Sequence, residues 1–204
     1  MKLNKLEFFA MNNPIRAAIQ EHYELPMLKN MITVNGIDRA LEIGCGNGHG
    51  TKLIKKYFAP RNIVGIDLDE RMIRLAKKRN KDQSISFLVM DASKLNFPDK
   101  HFDAIFDFGI IHHIPNWKDC LNELKRVLKD DGKIILEDLS SDTFKTFSGK
   151  IMKLLSDHPY VEMYSTNDLV NYMKSIGFEI MNFMESNPAG LIKFFSLIAI
   201  RRHK

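Results

Sequence analysis

Four glycines occupy alternate positions, Gly44, Gly46, Gly48 and Gly50, in the run Leu41-Glu42-Ile43-Gly44-Cys45-Gly46-Asn47-Gly48-His49-Gly50. They follow an apolar stretch of strand length and precede a segment with helical spacing. A tight strand-to-helix turn needs residues without a Cβ, both to reach positive φ and to let a ligand lie against bare backbone. Glycine weakens a fold where neither is required, so a cofactor seat explains this turn better than close packing alone. The spacing also narrows the ligand. A dinucleotide fingerprint reads Gly-x-Gly-x-x-Gly, whereas here the third glycine arrives one residue early, with Asn47 between, and no Gly-Lys-Ser/Thr ending follows. Glu42, two residues before the first glycine, places an anion where a pyrophosphate would be repelled and a cationic amine or sulfonium attracted. An NAD-dependent oxidoreductase is disfavoured on both counts.

About 20 residues beyond the turn, Asp67 closes a second apolar run, Val64-Gly65-Ile66-Asp67, where a carboxylate can accept from both ribose hydroxyls of an adenosine. A helix-capping role belongs to Asp69 instead. Asp91, in Met90-Asp91-Ala92, falls beside the same crevice and is placed to accept from an adenine amino group, with Leu68, Met72 and Ala92 flanking the ring. His112 and His113 are candidate bases because imidazole titrates near neutral pH. A metal role is disfavoured for adjacent residues expected to point apart.

These residues need a scaffold, and the rest of the chain supplies a pattern for one. Its 204 residues make one domain, large enough to bury a core without disulfides. Short apolar runs alternate with helix-like segments, the signature of a doubly wound α/β fold with helices on both faces of a mostly parallel sheet. Strands are predicted at Ala40–Ile43, Ile63–Ile66, Ile85–Met90, Phe102–Phe108 and Lys133–Glu137. The last follows an Asp130-Asp131-Gly132 turn whose glycine is expected at positive φ. Apolar stripes predict helices over Thr51–Phe58, around Met72, Ile73 and Ala76, and through Leu121, Leu124, Val127 and Leu128. Ser165 and Asp168 are spaced as a capping box for a helix ending at Gly177. Phe178–Met184 and Phe194–Ile200 read as an antiparallel strand pair. Four parts follow: a helical lid over 1–35 with Ile15, Ala18 and Ile19 as one apolar side, a cofactor-binding core over 36–139, a substrate-side insertion over 140–164, and a closing helix and strand pair over 165–204.

The formal charge of +5 admits an acidic partner without demanding one, and the basic runs read as solvated helix faces. Two cysteines, Cys45 and Cys120, make no disulfide framework and fit a reducing, cytoplasmic setting. No signal-peptide pattern follows Lys2 and Lys5, and the apolar run Leu191–Ile200 contains Lys193 and is too short to span a membrane.

Glu42 to Gly48, Gly65-Ile66-Asp67, Asp91-Ala92, Phe102 to Phe106, Ile111 to Ile114 and Leu128 to Lys133, in that order, resemble the successive motifs of class I S-adenosylmethionine-dependent methyltransferases. The resemblance covers roughly Asp38 to Leu139. It implies a seven-stranded sheet with the last strand antiparallel and S-adenosylmethionine across the carboxyl ends of the strands. It also implies Gly44 and Gly46 facing the methionine part, with Glu42, Cys45 and Gly48 of the same turn among the cofactor-binding residues, Asp67 at the ribose, and Asp91 with Ala92 at the adenine. Asp107, Phe108 and Gly109 would line the methionine end and the methyl. Positioning supplies most of the rate for such a displacement, so a base is optional.

An amino-methylating nucleic-acid enzyme would carry Asn/Asp-Pro-Pro-aromatic where Asp107-Phe108-Gly109-Ile110 stands, and no Pro-Cys nucleophile is present. The segments outside the common unit hold Phe8, Phe9, Met11, Tyr23, Met27, Phe144, Phe147, Met152, His158, Tyr160 and Tyr164, an aromatic lid suited to a small organic or lipid-like acceptor. A noncatalytic protein that binds S-adenosylmethionine and regulates a partner is the alternative.

Overall fold

The computed structural model describes residues 12–32, 36–145, 149–150, 163–187 and 193–202, the Ile15 side chain excepted. Its framework is a seven-stranded sheet in the order β3-β2-β1-β4-β5-β7-β6. The strands are β1 (Arg39–Ile43), β2 (Asn62–Asp67), β3 (Ile85–Val89), β4 (Phe102–Phe108), β5 (Leu128–Asp138), β6 (Phe178–Ser186) and β7 (Phe194–Arg201). β1 to β5 pair in parallel, and β7 runs antiparallel between β5 and β6. The reversal of strand order beside β1 and β4 opens a crevice at their carboxyl ends.

Helices α3 (His49–Phe58), α4 (Glu70–Arg79), α5 (Trp117–Val127) and α6 (Thr166–Ser175) flank the sheet, with α1 (Pro14–Ile19) and α2 (Leu25–Met31) ahead of β1. Strand alternation sorts the core into two layers. Leu41, Ile43, Ile105, Ile134 and Leu136 meet α5 and α6, while Ala40, Ala104, Phe106 and Ile135 meet α2 and α3. The same alternation delivers the polar residues at the strand ends. Glu42, Phe108 and Glu137 continue the α2–α3 face, and Asp107 and Asp138 continue the opposite one.

Some details depart from the sequence reading. Leu128 leaves the helix and opens β5, its backbone already extended at φ −78° and ψ 137°. In the following turn the left-handed residue is Asp131, at φ +58°, and not Gly132. Glycine is needed at 132 for closeness: a Cβ there would lie 2.8 Å from the Leu128 side chain and from the Lys129 carbonyl oxygen. The N-terminal helix also turns the other way from its apolar pattern. Ala18 and Ile19 face out, Ile19 at 47% exposure, and Gln20 and Glu24 are buried. A π-helical turn over Gln20–Glu24 separates α1 from α2 and rotates both polar side chains inward. The Ser165–Asp168 capping box is present, and Asp69 caps α4 by accepting from the Arg71 amide at 2.9 Å.

Candidate active site

The glycine turn folds back on itself through Cys45 N–H to the Ile66 carbonyl and Gly48 N–H to the Cys45 carbonyl, both at 2.9 Å. Gly44, Gly46 and Gly48 adopt φ of +62°, +51° and +79°. Their surroundings differ. A Cβ on Gly44 would stand 2.5 Å from the Ile110 side chain, and one on Gly50 would stand 2.2 Å from Glu42 Oε1. At Gly46 nothing lies within 4 Å of that position, because the backbone there faces a cavity of about 440 Å³. A turn with bare backbone toward open space is what a cofactor seat requires.

The cavity is walled by the turn, by Asn12, Arg16 and Gln20 from the N-terminal segment, and by Phe108, Gly109 and Ile110 after β4. A second cleft of about 140 Å³, lined by Leu68, Asp91, Ala92 and Asn116, shares Gly44, Asp67, Ile110 and His113 with it, so the two form one bent groove. Asp67 stands at the bend. Its Oδ2 accepts from Gly46 N–H at 2.9 Å and its Oδ1 from Asp69 N–H at 2.8 Å. Burial raises its pKa, opposed by those two amides. Asp91, exposed, accepts from the Ser93 amide and hydroxyl, both at 2.8 Å.

Glu42 lies in the cavity wall at 2% exposure with the Thr51 hydroxyl donating to it. Burial lifts its pKa to about 8; the Thr51 hydrogen bond opposes this, and the nearby Asp67 charge adds to it. Of the other expected residues, Cys45, Met72, Phe108 and Gly109 line the same cavity. Gly48 is set back against Asn80, Ala76 and Phe87. Asp107 is fully buried beneath the groove wall, accepting from Ile110 N–H at 2.9 Å. Burial and then the neighbouring Asp138 charge push its carboxyl well above the usual range.

The two histidines do not point apart as adjacency suggested. They sit in a 3-10 turn over Ile111–His113, and their ring centroids are 4.0 Å apart. His112 is buried and held through Nδ1 by Asp138, which also accepts from His112 N–H at 3.0 Å, Leu139 N–H at 2.7 Å and the Tyr164 hydroxyl at 2.6 Å. That hydroxyl keeps its proton, because burial and then Asp138 raise its pKa. His113 lines both lobes of the groove. Phe144 and Tyr164 are buried, and Tyr23 is half exposed. Phe8, Phe9, Met11, Phe147, Met152, His158 and Tyr160 lie outside the described residues.

Residues 41–136 match the family model described as Methyltransferase domain, a span that holds the glycine turn, Asp67 and the histidine pair. That span, residues 41–136, belongs to the class I S-adenosylmethionine-dependent methyltransferase family. It is similar to the fatty-acid O-methyltransferase of Mycolicibacterium smegmatis, at 31% identity over 73% of this chain and 50% of that protein. It is also similar to the demethylmenaquinone methyltransferase of Thermotoga maritima, at 28% identity over 89% and 75%. The chain therefore spans half of the first relative and three quarters of the second. Its fold matches that of a SAM-dependent methyltransferase from Aquifex aeolicus with a TM-score of 0.75, 19% identity and coverage of 98% and 99%.

Gly46 offers a clean separation of folding from binding. Gly46→Ala costs about 1 kcal/mol for a left-handed alanine and meets no neighbour in the protein. The variant is expected to melt only a few degrees below wild type, while calorimetry with S-adenosylmethionine shows at least a tenfold weaker complex, since the methyl projects into the groove. Equal loss at Gly44→Ala would come with a much larger fall in melting temperature.

Sequence reasoning missed Asn12, Arg16, Gln20, Asn47 and His49 on the cavity wall. The helix spacing of Arg16, Gln20 and Glu24, every fourth residue, was the available signal. Apolar periodicity alone does not reveal the inward side here, since Ala18 and Ile19 face out.

Proposed function

We propose that this protein transfers a methyl group from S-adenosylmethionine to a small organic or lipid-like acceptor in a reducing, cytoplasmic setting. The observation that carries the cofactor assignment is the bent groove, with the open backbone of Gly46 at one lobe, Asp67 at the bend, and Asp91 and Ala92 at the other. In this reading Gly44, Cys45, Gly46 and Glu42 hold the amino-acid end, Asp67 the ribose, Leu68, Asp91 and Ala92 the adenine, and Phe108 and Gly109 the methyl-bearing sulfur. When bound, the sulfonium supplies a methyl already activated for displacement. The chain's own work is alignment: the groove fixes an acceptor atom in line with that methyl and excludes water.

The acceptor class is supported by the relatives named for a fatty acid and for demethylmenaquinone. His113, at the junction of the lobes, is the histidine an acceptor reaches; His112 behind it is a positioning residue held by Asp138. With a hydroxyl or carboxyl acceptor, His113→Gln is expected to lower kcat about 10²-fold or more with little change in cofactor affinity. Unchanged kcat would leave positioning as the whole mechanism.

The deciding experiment offers methyl-labelled S-adenosylmethionine with long-chain fatty acids, quinol analogues, small organic acids and, in a separate arm, RNA and DNA. Label in a lipid or small acceptor supports the proposal. Label in nucleic acid alone overturns the acceptor class, and cofactor binding with no transfer to any acceptor favours the regulatory alternative.

A further inference from the structure

The N-terminal segment presents a polar side to the groove, with Arg16 and Gln20 on the cavity wall. Arg16 lines the cavity with its side chain 30% exposed, and Gln20 and Glu24 follow it at one-turn intervals, each at 8% exposure. Glu24 grips Arg16 by a single nitrogen, Nη1, at 2.7 and 2.6 Å to its two oxygens. Among the described residues, Nε and Nη2 of that guanidinium have no hydrogen-bond partner. Glu42 lines the same cavity. Its Oε1 and the Gln20 amide nitrogen lie 2.2 and 3.3 Å from the point where a Gly50 Cβ would sit, so these two side chains converge over Gly50, one lid turn from Arg16. The other arginine on the cavity wall, Arg79, is exposed at the end of α4.

An amino acid carries an ammonium and a carboxylate on one carbon, and a pocket that holds both needs an anion and a cation converging from different walls. Glu42 supplies the first. We infer that Arg16 supplies the second: it recognises the α-carboxylate of the cofactor, its unused guanidinium edge turned to that group while Glu24 keeps the side chain in place. This assignment rests on the reading of S-adenosylmethionine as the cofactor and adds a residue outside the matched span of 41–136. It also gives a role to a polar side chain on the lid, because a guanidinium that keeps donors in hand gains further charge-assisted hydrogen bonds when a ligand of opposite sign arrives.

The test crosses a substitution with truncated ligands. Calorimetry compares wild type, Arg16→Met and the double variant Arg16→Met/Glu24→Gln, which leaves no unpaired lid carboxylate, against three ligands. These are S-adenosylmethionine, its decarboxylated form and methylthioadenosine, which lacks the amino-acid end. Wild type is expected to prefer S-adenosylmethionine over the decarboxylated form by about tenfold or more. Both variants are expected to lose that preference while binding the two truncated ligands within about twofold of wild type. A retained preference overturns the inference, as does a parallel loss for all three ligands in both variants. Unchanged cofactor affinity with a raised KM for a carboxylate acceptor would move Arg16 to the acceptor and overturn it too. Wild type that binds none of the three would overturn the cofactor reading itself, a result distinct from a retained preference in the variants.

Discussion

Asp67→Ala is expected to weaken S-adenosylmethionine binding by about 2–4 kcal/mol, a loss of tens- to roughly a thousandfold, read by calorimetry near neutral pH. Two hydrogen bonds from ribose hydroxyls to a charged acceptor account for most of this. The carboxylate has a second duty in the free protein. It already accepts from Gly46 and Asp69 amides at 2.9 and 2.8 Å, so it ties the glycine turn to the end of β2. The variant therefore also loses about 1–3 kcal/mol of ligand-free stability, through two amides left without their acceptor. Asp67→Asn separates the contributions, since its amide oxygen retains one acceptor but not the charge. Asp91 is exposed and satisfied locally by Ser93, and Asp91→Ala should cost about tenfold or less. Wild-type affinity in Asp67→Ala would refute the ribose assignment.

The second large effect is a proton. Glu42, with a pKa of about 8 in the ligand-free protein, is mainly neutral at pH 7. A bound ammonium and sulfonium favour its charged form, so binding expels the proton. Affinity for S-adenosylmethionine is then expected to rise with pH, by up to about tenfold per unit below pH 8, and to level off above it. Glu42→Gln should abolish the slope and bind more weakly at pH 8 and above. Stability runs the opposite way. The folded pKa exceeds the unfolded value near 4.5, so between these limits the folded state holds more of the proton and Glu42 lowers stability progressively as pH rises. The ligand-free Glu42→Gln protein should therefore melt above wild type at pH 8 and match it near pH 4.5. A pH-independent wild-type affinity would remove Glu42 from cofactor binding. The slope belongs to Glu42 only if the glutamine variant lacks it, because Asp67 also titrates upward through burial.

Both expectations depend on features of unequal visibility. The strand-turn-helix around Gly44 to Gly50, the end of β2 at Asp67 and the order of the parallel strands are local matters. Periodicity of two or of 3.6, with glycine at a turn, reports which backbone conformation buries the apolar residues, and short-range sterics enforce it. The capping roles of Asp69 and Ser165 were legible for the same reason, each side chain reaching an amide two or three residues on. The limits of such reasoning appear at Leu128 and Gly132, where helix gives way directly to strand. The Gly132 requirement comes from an approach to Leu128 that no spacing rule expresses.

What the chain alone determined, then, is a doubly wound sheet with a cofactor turn, because each residue type there answers to its immediate neighbours. The tertiary structure decided which polar groups meet. Asp138 gathers His112 and Tyr164 from 26 residues away on either side. Arg16 lines the groove from α1, ahead of a π turn in which Gln20 and Glu24 are buried while Ala18 and Ile19 face out. Glu42 acquires its raised pKa only when the packed fold buries it, against the opposing hydrogen bond from the Thr51 hydroxyl. Desolvation and hydrogen bonding between distant segments exist only once the layers have packed, so the same glycine run that announces a cofactor leaves the charge state of its wall unwritten until the fold is complete.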